Sequence, residues 1–154
     1  FVRPAARMPT SGESTTQGCE LGVNGILNNY LTGCVNYSYQ TDPDPKDFDL
    51  SELNLPPNNR FNIGANVTYG RFLGNLSVSY ADDAFWQDVL NDPYHGTTDS
   101  YTLVNAAFGV RWGGDKVTTS IKFVNLGNSD VQQHVFGDIT KRQIVGEIKV
   151  NLPR

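Results

Sequence analysis

The amino-acid sequence predicts an all-β chain, an antiparallel up-and-down meander of about seven strands that forms the C-terminal part of a transmembrane β-barrel. Three observations carry this expectation. Apolar and polar residues alternate with a period of two in seven separate stretches, the side-chain repeat of a strand. No stretch keeps apolar residues at i, i+3, i+4 and i+7 through three turns, because Gly or Asn interrupts the helical candidates. The connections alternate between short and long, as tight turns at one barrel end and larger loops at the other require.

The first stretch, about 15–27, places Cys19, Leu21, Val23 and Leu27 on one parity. The second, about 31–40, places Leu31, Val35, Tyr37 and Tyr39 together, and two or three residues around Asn28-Asn29 join it to the first. Within the first stretch Asn24-Gly25 is a competing hairpin dipeptide, which would end that strand at Val23. The third and fourth stretches, about 60–69 and 72–80, carry Phe61, Ile63, Ala65, Val67 and Tyr69, then Phe72, Leu76, Val78 and Tyr80, around a Gly70-Arg71 turn. The fifth and sixth, about 101–112 and 117–124, carry Val104, Ala106, Phe108, Val110 and Trp112, then Val117, Ile121 and Phe123, around Gly113-Gly114-Asp115-Lys116. The seventh, about 142–152, carries Ile144, Ile148, Val150 and Leu152. Long loops at about 41–59, 81–100 and 126–139 hold Asp42-Pro43-Asp44-Pro45, Pro56-Pro57 and Asp92-Pro93, all loop formers. Residues 1–14, with Pro4 and Pro9, show no clean alternation and are assigned to an irregular segment; 15–152 form the strand region.

The opposite parity is rich in Asn, Ser, Thr and Gly, and it carries Glu20, Arg111, Lys122, Glu147 and Lys149; the apolar parity carries no charge. Alternation leaves open whether the apolar face meets a dry core or lipid. Strands of about 9–11 residues match a tilted membrane crossing. Aromatic residues gather at both ends: Tyr37, Tyr39, Phe61, Tyr80 and Phe123 toward the long loops, and Tyr69, Phe72 and Trp112 toward the short turns. Two interfacial girdles need that placement. The competing reading is a soluble antiparallel β-sheet binding module with its apolar face inside.

Composition excludes other classes. With 12 basic and 16 acidic residues the net charge is −4, and no Lys/Arg cluster suggests nucleic acid. Seventeen aromatics argue against disorder. No apolar run reaches the length of a transmembrane helix. The chain opens Phe1-Val2-Arg3-Pro4, without Met or a secretory leader pattern, and is read as part of a longer or processed product. Seven strands do not close a bacterial barrel of even strand number, which points the same way.

From Leu53 onward the chain resembles the C-terminal end of a TonB-dependent outer-membrane receptor of the carboxypeptidase-regulatory-like, plug-bearing type. The stretches concerned are Leu55-Pro56-Pro57-Asn58-Asn59-Arg60-Phe61-Asn62, Tyr80 through Phe85-Trp86-Gln87-Asp88-Val89-Leu90, Val124-Asn125-Leu126-Gly127-Asn128, and Val131 through Asp138. Gly18-Cys19-Glu20-Leu21 is similar to the family's Gly-x-Glu entry to a late strand. Gly127 stands where the family usually has Phe, and the end Leu152-Pro153-Arg154 lacks its usual terminal aromatic. The resemblance implies a plugged barrel of about 22 strands, of which these would be the last seven. It implies a location in the Gram-negative outer membrane and uptake of a scarce bulky nutrient such as a siderophore, vitamin or glycan. The implied partners are outer-membrane lipid, the remaining strands, the plug domain and, through that plug, the TonB energy-coupling complex.

No catalytic constellation is present: there is no Gly-x-Ser-x-Gly, no His-Glu-x-x-His and no phosphate-cradling loop. No cofactor is expected. His95 and His134 lie in different loops near Asp92, Asp99, Asp130 and Asp138, with no spacing that makes metal ligands converge, and they read as solvated loop histidines. Asp42, Asp44, Asp47 and Asp49 read as a solvated acidic loop, with a loop Ca²⁺ site as the sharper alternative. Asn36, Asn66 and Asn75 head glycosylation sequons inside strands and read as lumen-facing polar residues. Trp86, Tyr94 and His95 could contact a ligand from the 81–100 loop, although Trp86 reads first as a girdle residue extending the fourth stretch.

Cys19 shares parity with Leu21 and is expected to face lipid, whereas Cys34 shares parity with Thr32 and Asn36 and faces the lumen. In a hairpin turning at Asn28-Asn29, Cys19 sits opposite about Tyr39, so opposite faces and offset keep the thiols beyond disulfide reach. Thiol labelling under denaturing, non-reducing conditions should recover both cysteines as free thiols.

Overall fold

The computed structural model describes residues 13–46, 49–50, 53–87 and 96–151. Among these residues there are eleven strands: β1 (Ser14–Thr15), β2 (Gly18–Ile26), β3 (Leu31–Gln40), β4 (Asp44–Pro45), β5 (Asn59–Tyr69), β6 (Phe72–Ala81), β7 (Ala84–Trp86), β8 (Gly96–Thr98), β9 (Tyr101–Trp112), β10 (Val117–Val124) and β11 (Gln143–Val150). Seven of them form one sheet in the order β11-β10-β9-β6-β5-β3-β2, every pair antiparallel. Each of these strands therefore pairs with its neighbour in this series, the up-and-down meander expected from the alternating connections. Among the described residues no helix is long and apolar enough to cross a membrane.

Local chemistry sets the three tight turns. At 27–30 the Asn28 side chain accepts from the Tyr30 and Leu31 amides at 2.9 and 3.0 Å, closing the turn without a glycine. Tyr69 pairs directly with Phe72, and only the first central residue, Gly70, has a positive φ of 55°. That is the type II′ pattern, which only glycine adopts cheaply at this place and which follows the twist of the flanking strands. Gly113, Gly114 and Asp115 all have positive φ in the third turn. Asn24 and Gly25, the competing hairpin dipeptide, lie inside β2 opposite Cys34 and Gly33. Turning there would have broken the pairing of Ile26 with Thr32. The first stretch also ends one residue earlier than expected, at Ile26, and Ser14–Thr15 separates from it to pair with Asp44–Pro45. This small ribbon carries the β2–β3 hairpin past the wall and is tied by a 3.0 Å Lys46–Glu13 ion pair.

Register puts every apolar parity on one face. One row across the sheet reads Leu21, Tyr37, Phe61, Tyr80; the next reads Val23, Val35, Ile63, Val78, Val104. This face is uncovered: Val23 is 58% exposed, Ile63 47%, Phe108 51% and Ile148 74%. The only buried hydrophobic residues among those described are Ala81, Ala84 and Val131, all at the loop end. Among the described residues no second layer covers this face. The apolar face of the strands holds no Asp, Glu, Lys or Arg, which an acyl-chain contact demands because charge there costs about 2–4 kcal/mol at mid-membrane.

The other face is polar and concave. Asn66, Asn75, Ala107, Ser120 and Glu147, one residue from each of five successive strands, line a single open hollow of about 420 Å³. Asn75 donates to Asn66 at 2.8 Å, and Lys122 pairs with Glu147 at 2.6 Å across β10–β11. Both partners of that ion pair are about half exposed, so solvent screens their attraction. Its main consequence is to keep both charges on the wet side. Cys34 belongs to this face, since a Cβ on Gly64 would meet its Sγ at 2.8 Å. Cys19 pairs with Tyr39 and Cys34 with Asn24, and both thiols are free.

Aromatic residues mark both rims. Phe61 stacks on Tyr80 at 5.4 Å toward the long loops, while Tyr69 meets Tyr30 edge-on at 5.0 Å toward the turns. At the turn end the Arg71 guanidinium lies 5.2 Å from both the Phe72 and the Trp112 ring centroids. This arrangement lets a cation sit at a headgroup boundary against two amphipathic rings.

Neighbouring residues Ile121 and Ser120 point to opposite faces of β10. Ile121→Arg should cost about 2–4 kcal/mol in a lipid-inserted barrel if it lies near the midplane, and Ser120→Arg little. Denaturant titration of the two variants in liposomes checks the contrast; equal tolerance would contradict the assignment of faces.

Candidate functional site

The three long connections begin where strand polarity ends, and their sequences explain why they fold back on one another. After β6, Asp82 and Asp83 stop the ladder, and Ala84–Trp86 then pairs with Gly96–Thr98 as a separate hairpin. Leu55, in the first long loop, bridges Phe85 through two 2.9 Å backbone bonds, and Asn54 accepts from the Gln87 amide at 2.8 Å. Trp86 lies 4.3 Å from His134 in the third loop, and an added Cβ at Gly96 would come within 2.9 Å of Val135. All three loops are thereby joined at one end of the wall.

Asn125 holds the third loop. It is fully buried, with φ +54°. Its amide nitrogen donates to the Ser129 carbonyl at 2.7 Å and the Thr140 carbonyl at 2.9 Å, its side-chain oxygen accepts from Ser129, and its backbone N–H donates to Asn105 at 3.1 Å. Asn128, φ +55°, accepts from the Arg142 amide. The Asn-Leu-x-Asn element thus works as a staple. Two asparagines are suited to it because they tolerate left-handed backbone and carry both a donor and an acceptor. Gly127 needs no close approach, since nothing lies within 4 Å of an added Cβ.

At the outer rim a carboxylate gathers three strands. Asp82 Oδ2 accepts from the Asn59 side chain at 2.6 Å and the Asn59 backbone at 3.1 Å, Oδ1 accepts from the Tyr80 hydroxyl at 2.7 Å, and the Tyr37 hydroxyl donates to Asn59 at 2.7 Å. The Asn59 amide, then the Tyr80 hydroxyl, hold the Asp82 carboxyl below its ordinary value of 3.8. The girdle tyrosines are therefore fixed, with their polar tips turned to the loop end.

Between this rim and the loops lies a hollow of about 230 Å³ lined by Pro56, Pro57, Arg60, Asp82, Trp86 and Tyr101, among others. Arg60, Ala81 and Tyr101 are consecutive cross-strand partners on the lumen parity, so the hollow opens on the lumen side. The Trp86 indole donates to Thr98 at 3.1 Å, which fixes its ring, and Gln133 reaches the Tyr101 hydroxyl at 3.4 Å.

Trp86 is not the girdle residue it was expected to be. The break at Asp82-Asp83 detaches it from β6 and places it in the loop hairpin, half-buried against His134. His134 is not simply solvated either: its Nδ1 accepts from the Phe136 amide at 3.2 Å while its ring meets Trp86 and Phe136. His95, Tyr94, Asp92 and Asp47 lie outside the described residues. Among the described residues no group of three or more His, Cys, Asp or Glu converges as metal ligands. Asn66 and Asn75 meet on the polar face, as their parity implied. Arg60, Thr98 and Gln133 were not singled out from sequence. For Arg60 a signal existed, namely a charge on the polar parity at the loop end of a strand; for the other two, only the loop fold brings them in.

An antiparallel meander with one apolar and one polar face, aromatic rims and loops folded together at one end fits part of the wall of a transmembrane β-barrel. The family model described as "TonB dependent receptor-like, beta-barrel" matches residues 3–126, and the chain belongs to that family. This is a receptor and transporter family of the outer membrane rather than an enzymatic one. No curated protein and no solved structure matches the chain.

Two outcomes follow. Asn125→Ala leaves two carbonyls and an amide without their part-buried partner, so it should lower the loop's local stability by about 1–2 kcal/mol. Asn125→Asp, lacking both donors, should do nearly as much; hydrogen exchange of the 128–142 amides reads both. Because the Asp82 pKa is depressed on folding, its clamp contributes fully above its ordinary value of 3.8 and is lost as pH falls below it. Acid titration followed by Tyr fluorescence should show rim loosening below that pH in the native protein, and Asp82→Asn should abolish the transition.

Proposed function

We propose that this chain supplies part of the barrel wall and outer loops of an outer-membrane receptor. That receptor takes up a scarce, bulky nutrient (a siderophore, vitamin or glycan) using energy delivered by the TonB complex. The chain would be the C-terminal part of a longer protein whose plug closes the lumen and contacts TonB. The observation that carries this reading is the complete segregation of charge across the wall, combined with family membership. A charge-free outward face with aromatic rims needs lipid around it, and a polar concave face needs water or a polar plug inside. In this division of labour the wall is passive. Its loops capture the ligand at the mouth, and its polar face offers a path that does not grip the ligand tightly.

The residues described fit those roles by position. Glu20, Arg60, Arg111, Lys122, Glu147 and Lys149 all fall on the lumen parity, so any charge that a solute meets is on that side. The joined loops make a mouth with fixed shape, which selects ligands better than three independent segments would.

The test is made in the cell that expresses the protein. The receptor should fractionate with the outer membrane, and deleting its gene should abolish uptake of one nutrient under limitation. An uncoupler should arrest that uptake. Recovery in the soluble fraction, or accumulation indifferent to the uncoupler, would overturn the reading.

A further inference from the structure

We infer that the hollow at the mouth is a subsite for a carboxylate carried on a flat ring, with Arg60 as its counter-charge. This rests on the receptor reading in one respect, that the lumen-side mouth faces arriving ligand. The hollow's volume of about 230 Å³ is below the range of about 300–1,000 Å³ for sites that enclose a whole ligand. It suits one group of a larger molecule.

The chemistry of the lining selects that group. Arg60 makes no hydrogen bond or ion pair through its side chain among the described residues, although four other cation–carboxylate pairs form elsewhere on the chain. The polar groups around it are already engaged. Trp86 is bonded to Thr98, and Gln133 to Tyr101. Asp82, the one anion in the lining, receives three donors and is turned into the rim clamp. Its charge is therefore offset where it stands, and no ion pair joins it to Arg60. What the hollow offers a ligand is a permanently charged, planar fork with unused donors, which matches a carboxylate in two parallel bonds. Beside it stand Pro56, Pro57 and the fixed Trp86 ring, flat apolar surfaces against which a ring can stack. A neutral ligand would leave the guanidinium unanswered, and a second cation would be repelled.

The experiment uses 4-fluorobenzoate and 4-fluorobenzamide, which share a shape and differ in charge. Each is titrated by ¹⁹F line broadening against the full-length receptor in detergent. The acid should bind about tenfold tighter than the amide, the factor expected of one charge-assisted bidentate contact. Arg60→Gln should erase that preference, and Arg60→Lys should keep a weaker one, since a point charge remains without the fork. Equal binding of the two probes by the native receptor overturns the inference, as does the absence of saturable broadening or an unchanged preference in Arg60→Gln. The native comparison needs no variant, so a folding defect cannot mask the result. Energised uptake without charge preference removes the subsite alone; charge preference without energised uptake removes the receptor reading and leaves the subsite.

Discussion

The structure depends on one constraint. A backbone placed among acyl chains must answer its own N–H and C=O groups, because the surroundings have no hydrogen-bonding partners to offer. The seven-stranded ladder does this without interruption from Arg60 to Tyr69 and from Phe72 to Ala81, where ten consecutive residue pairs face each other. Once the ladder satisfies the backbone, the pleat decides the rest. Each side chain is sent to lipid or to lumen by parity alone, and a single charged residue on the wrong parity would be expensive. This is why composition can look so unremarkable, with mean hydropathy of −0.38, while the arrangement is strict.

The same constraint explains where proline and asparagine are placed. Proline removes a ladder donor, so Pro43, Pro45, Pro56 and Pro57 are confined to the loop end, and Pro45 takes part only in the two-residue ribbon beyond the wall. Asparagine does two jobs. On the polar face it bonds across strands, as Asn75 does to Asn66; at strand ends it replaces the lost ladder, as Asn28, Asn59 and Asn125 do. Strand, rim and loop are therefore linked by the chemistry of one small side chain that can donate and accept at once.

The wall was legible in the sequence because its physics is periodic. Runs of alternating residues located all seven strands and the register of Cys19 against Tyr39, and the tight turns were marked by Asn28-Asn29, Gly70-Arg71 and Gly113-Gly114. Asn24-Gly25 shows the limit of local signals: an intrinsic turn dipeptide yields when the pairing on either side is longer and better. The loops were hardly legible. That Trp86 leaves the wall, that Leu55 finds Phe85, and that His134 packs on the indole are contacts between segments far apart in sequence, with no period to reveal them. The Asn125 motif was visible as a habit of sequence, but its reason is two carbonyls that exist only in the folded loop.

The bridging of the first loop to the second, and of the second to the third, has a consequence for how such a mouth can change over evolutionary time. Three separate loops could each drift, lengthen or be exchanged with little effect on the others. Here Leu55, Phe85, Gly96 and Val135 form a chain of contacts, so substitutions at these places are coupled rather than additive. New specificity is reached by concerted replacement of the whole rim assembly, or by altering residues such as Arg60 that line it without holding it together. Grafting one loop from a relative would inherit a shape whose supports stayed behind.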